Sequence, residues 1–226
     1  VITGRRVHEG DTSCGGYPRL YIEMEEGYCL GLVAHEEAPF SPRDILESPA
    51  EPGVFLISDF QRWSTSKGKI WRLEGGALTI AAEGLSLPHA LRVGPGPGGK
   101  GQWVYLGEDH QITRFDPRDP SRSEVVIKDL PPIYYKDAQG KQRKNSFHPL
   151  SQFVFDGDNT LFVNIGAPTD HCQSGAGATC TEGDRGTPHR LGKNPADPTL
   201  EGAVIRRYAY LGEGKWDPAY TLVARG

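Results

Sequence analysis

The sequence lacks any apolar run long enough to cross a bilayer. The longest, YCLGLVA at residues 28–34, falls far short of the roughly 18 residues a spanning helix needs. It begins on Val1 without a leader of basic, apolar and small residues, so any targeting peptide is expected to have been removed or to lie outside the sequence. It has no excess of positive charge, with 25 basic against 29 acidic residues. Its one basic cluster, KDAQGKQRK at residues 136–144, carries no interleaved aromatics and reads as a solvated loop, which argues against nucleic acid as a partner. Cysteine is scarce: four residues fall as two local pairs, Cys14 with Cys29 and Cys172 with Cys180, neither at zinc-hook or thioredoxin spacing. Two loop-closing disulfides in an exported protein, periplasmic or secreted, are the economical reading; free buried thiols in a cytosolic enzyme are the alternative. The Gly-rich VGPGPGGKG at residues 93–101 has neither nucleotide-binding spacing, and no G-x-S-x-G elbow exists. DGDNT at residues 156–160 starts like a calcium loop, but Ala167 stands where the bidentate glutamate belongs, so it reads as a hairpin turn.

What the chain does have is 29 glycines, 18 prolines and many short β-branched runs, the composition of an all-β protein rich in turns. Three segments repeat one order of strands. The first reads GVFLISDF, GKIWRLEGG, ALTIAAEGL, preceded by an innermost strand within PRDILESPAEP at residues 42–52. The second reads PHALRVGPG, QWVYLGED, QITRFDP, SEVVIKDLP, and the third HPLSQFVFD, TLFVNIGAP, GAVIRRYAY, AYTLVARG. Ser58, Gly107 and Gly166 take equivalent places. Four-stranded antiparallel repeats of this kind predict a β-propeller, with blades over about 42–84, 86–131 and 147–224. Residues 17–34 are a candidate closing outer strand.

In a blade, the innermost strand starts at the end of the channel to which the loop between the second and third strands returns. His148, opening the third innermost strand, is thus expected at the channel mouth, where ligands collect. The long loop over 166–202, with Cys172 and Cys180 inside it, is expected to wall the same mouth. An imidazole held there suits proton abstraction from a hydroxyl, though a hydrogen-bonded structural histidine is the plainer reading. His89 opens the second inner strand and is either a strand cap or a ligand contact. Trp63 with Arg62, in the first return loop, can stack on a planar ring or simply pack.

The combination of His148, FVFDGDNTLFVNIGAP, Cys172, AVIRRY and a closing ARG resembles the glucose/sorbosone dehydrogenase family, six-bladed propellers that use pyrroloquinoline quinone (PQQ). The resemblance implies a sugar dehydrogenase in which His148 is the base, hydride passes to PQQ, and calcium polarises the cofactor. It also implies that the three blades are the N-terminal portion of a longer chain, with no metal ligand inside these residues. Two departures stand out. Ala167 replaces the carboxylate that orients the histidine, a role left to Asp170 or a backbone carbonyl. Gln152 replaces an arginine, so contacts to the sugar differ. A non-catalytic carbohydrate-binding propeller and a calcium-dependent lactonase are the rival expectations.

Overall fold

The computed structural model describes residues 12–20, 22, 24–36, 40–61, 63, 65–132, 134–136, 140–144, 150, 152–166 and 204–225. Apart from one short 3-10 turn at Pro97–Gly99, its elements are strands, arranged as three four-stranded antiparallel sheets with two smaller ones. The first blade runs β4 (Pro42–Glu47), β5 (Val54–Asp59), β6 (Gly68–Glu74), β7 (Ala77–Leu85). The second runs β8 (Leu91–Pro95), β9 (Gln102–Gly107), β10 (Ile112–Phe115), β11 (Ser123–Ile127). The third runs β14 (Phe153–Phe155), β15 (Leu161–Ile165), β16 (Val204–Gly212), β17 (Lys215–Arg225). Each is a simple up-and-down meander. The first strands β4, β8 and β14 adjoin one another in succession, and the outermost strands β11 and β17 also meet, which is the radial order of a β-propeller.

The alternation of the strands explains how the blades pack. Leu56 and Ile70 of the first blade meet Leu91, Val104, Leu106 and Phe115 of the second, all essentially fully buried. The opposite face of the second blade places Tyr105, Ile112 and Ile127 against Phe153, Leu161, Val163, Ile165, Val204 and Tyr208 of the third. Each such side chain withdrawn from water contributes about 1.5–3 kcal/mol, so the seams between blades form the core. Two of the small residues noted in the sequence, Ser58 and Gly107, sit at these seams. A Cβ on Gly107 would collide with Leu150 Cδ2, and the Ser58 hydroxyl donates to the His89 carbonyl of the next blade.

Two further segments lie outside the three blades. β1 (Ser13–Cys14), β2 (Tyr17–Leu20) and β3 (Leu30–Gly31) form a sheet of their own, clipped by the Cys14–Cys29 disulfide. Just beyond it, Ala34 and Phe40 pack against Ile57, Trp71 and Leu73 of the first blade. The basic cluster lies on a hairpin of β12 (Tyr134–Lys136) and β13 (Gln142–Lys144), registered Tyr134 opposite Lys144. The DGDNT stretch is the turn its composition predicts, with Asp156 Oδ1 accepting from the N–H groups of Asp158 and Thr160 at 2.9 and 2.8 Å.

Candidate functional site

Backbone hydrogen bonds bring the start of each inner strand and the return loop to one end of the blade. Phe60 N–H donates to Ser41 O at 3.3 Å, and His89 N–H to Gly107 O at 2.8 Å. Two carboxylates that close the second strands anchor this end. Asp59, fully buried, accepts from the backbone N–H groups of Ser41 (2.9 Å) and Gln61 (3.0 Å), from Gln61 Nε2, and from Trp71 Nε1 (2.8 Å). Glu108 accepts from Ser86 N–H at 2.9 Å and Gln111 Nε2 at 2.8 Å. Both carboxylates are thus spent on holding loops.

Between these anchors lies a cluster of side chains that have no such structural duty. The Arg43 guanidinium lies 3.7 Å above the Phe60 ring, and burial lowers its pKa. Phe60 in turn is 5.6 Å from the His89 ring and 5.4 Å from Trp63, which is 51% exposed. The backbone N–H of His89 holds the start of its strand by donating to Gly107 O. The Nε2 of its ring is buried and finds no hydrogen-bond partner among the described residues. Burial pushes the imidazole down to about 4, the Arg43 charge adds to this, and Asp109 opposes it, so the ring is neutral at pH 7. Asp109 is itself buried and binds His110 Nδ1 at 2.5 Å, which with the charges of Glu108 and Asp129 raises the His110 pKa against its partial burial.

No protein-family model matches the chain. No curated protein matches it in sequence either. Among solved structures, it is similar to the calcium-binding protein regucalcin from Agrobacterium tumefaciens strain C58, at 17% identity, over 87% of this chain and 71% of that one, with a TM-score of 0.39.

Of the residues singled out in the sequence, His89 and Trp63 share this cluster. His148, Asp170, Arg62 and the Cys172/Cys180 pair lie outside the described residues. Gln152 is exposed, and its Oε1 accepts from Arg92 Nη2 at 2.5 Å while its backbone N–H donates to Asn164 Oδ1 at 2.7 Å. Arg92 Nη1 also donates to Asp44 Oδ2 at 2.7 Å, and that same oxygen accepts from Leu91 N–H at 3.0 Å. Asp44, Arg92 and Gln152 thereby link the inner strands of three blades in series. Sequence reading missed Arg43, Asp44, Arg92, Asp109 and His110. Asp59 and Glu108 carried a signal, since each follows the equivalent Ser58 or Gly107 at the same repeat position. Arg43, Asp44 and Arg92 gave none, because their partners stand far away along the chain, and the adjacency of Asp109 and His110 does not by itself show that their side chains meet.

Proposed function

We propose that the protein oxidises a sugar at the mouth of this propeller with pyrroloquinoline quinone, His148 acting as the base. One observation carries the reading: the run from His148 through FVFDGDNTLFVNIGAP to AVIRRY follows the residue order of the glucose/sorbosone dehydrogenases, and β14, β15 and β16 carry the strand portions of that run. The quinone, when bound, supplies a hydride acceptor. The described mouth suits such a flat, carboxylated group, for Arg43 offers a cation with no carboxylate partner among the described residues, Trp63 an open ring face, and His89 Nε2 an unsatisfied polar atom. Calcium finds no fit there. Among the described residues no three His, Cys, Asp or Glu side chains gather as a metal site, and Asp59 and Glu108 are already committed. We derive no step through the ion. The role of the chain is to seat the sugar, hold the neutral His89 beside it, and take its hydroxyl proton on His148.

A second reading, a carbohydrate-binding propeller without chemistry, is favoured by Ala167, which cannot orient an imidazole. Sugar-dependent dye reduction by protein supplied with PQQ and calcium separates the two. His148→Ala is expected to lower the rate by about 10²- to 10⁴-fold. Undiminished turnover would remove His148 from the reaction, and wild-type protein that leaves the quinone absorbance unchanged would favour the binding module. The Cys14–Cys29 bridge, of a kind that is rare in reducing compartments, supports our proposal that the protein works in the periplasm or outside the cell.

A further inference from the structure

We propose that His110 Nε2, held as an acceptor by Asp109, is a hydroxyl anchor at the mouth: it takes a hydrogen bond from a polyol or sugar bound there. The inference deepens the function proposed above by naming a second contact to the ligand, and it holds equally for the binding module.

The geometry points to a ligand rather than to a loop pin. The Asp109 side chain is 3% exposed, and among the described residues its only side-chain partner is His110, whose side chain is 43% exposed. The loop that carries them is fixed by other bonds. Glu108 N–H donates to Gln111 O at 2.9 Å, Asp109 N–H to Ser86 O at 3.1 Å, and Leu130 N–H to His110 O at 2.9 Å, while the Glu108 carboxylate ties the loop to Ser86 and Gln111. The carboxylate–imidazole contact is therefore surplus to the fold. Its chemical effect is to keep the Nδ1 proton on the side of Asp109, which leaves Nε2 with a lone pair. His110 belongs to the same return end as Arg43, Phe60, Trp63 and His89, and the Asp109 charge is felt at His89. A lone pair and an open indole face at the same end of neighbouring blades are the two kinds of contact by which a site takes a sugar, one hydroxyl bonded and one ring face stacked.

Among the described residues, the charged groups that act on His110 are acidic: Asp109 in contact, with Glu108 and Asp129 nearby. They keep the imidazole protonated to higher pH than usual, and protonation turns Nε2 from an acceptor into a donor. Binding is then strongest above the His110 midpoint and weakens as the pH falls through it.

The test is nitrogen-resolved histidine NMR on the wild-type protein without quinone, using D-glucose, D-xylose, L-sorbose and glycerol as probes. At a pH above the His110 midpoint at least one probe is expected to shift the His110 ring signals, and His110→Gln to weaken that probe about five- to tenfold, the loss of one hydrogen bond. Asp109→Asn is expected to move the tautomer toward protonated Nε2 and weaken the probe by a similar factor with the fold intact. Ring signals unmoved by all four probes would overturn the anchor, as would full affinity in Asp109→Asn. A probe that binds His110 while no dye is reduced would leave the anchor standing and remove the oxidation.

Discussion

At the mouth, two histidines one loop apart are tuned in opposite directions by their surroundings. His89 is pushed from 6.5 to about 4, chiefly by burial, so the unfolded chain takes up a proton before the folded one does. Its contribution to stability is complete above pH 6.5 and is lost as the pH falls toward 4. His110 is raised, chiefly by its bond to Asp109, so its contribution is present below 6.5 and is lost as the pH rises through its folded value. Urea midpoints between pH 7 and 4 are expected to fall less steeply in His89→Gln than in the wild type. Parallel slopes would show that the His89 ring is solvated. At this scale the sequence was only partly readable. His89 and Trp63 stand out as a histidine opening a strand and a tryptophan in a loop, but nothing local marks Arg43 as their companion, since Phe60, the ring that joins them, sits 17 residues further along.

Individual strands read well because a half-buried sheet imposes a period of two. Leu56 and Ile57 of β5 are both buried because the blade has a neighbour on one face and the Phe40 cluster on the other. The close approach of blades turns on Gly107. Gly107→Ala is expected to destabilise by about 1–3 kcal/mol, as overpacking does, because its methyl must displace Leu150. Gly157, with nothing within 4 Å of its would-be Cβ, is the matched control, and Gly157→Ala is expected to change little. Equal urea midpoints for the two variants would mean that the second seam is looser than its geometry. What alternation could not convey is where an element goes once formed. The short strands β1–β3 and the β12–β13 hairpin carry too few alternating residues to declare a partner, and the first of these sheets rests on a crosslink rather than on a buried face.

Over the whole molecule, the N-terminal sheet and the blades differ in what holds them. Ile22, Met24 and Tyr28, between β2 and β3, are 45, 42 and 68% exposed, and the sheet is closed by a bridge spanning 15 residues, a loop whose closure is worth about 3 kcal/mol. The blades rest on their shared seams. Reducing the protein is therefore expected to speed amide exchange across residues 12–35 while leaving β5, β9 and β15 protected. Loss of protection throughout would mean that the clip supports the propeller as well.

The Asp44–Arg92–Gln152 series has a mechanical consequence. Stacked repeats joined only by apolar faces can peel from one end, each unit giving way independently of those beyond its neighbour. Here a carboxylate in one inner strand grips a guanidinium in the next, which grips an amide in the third. Strain that pulls one strand off the axis is handed on to the other two, so the hub behaves less like a row of beads than like a lace drawn through three eyelets.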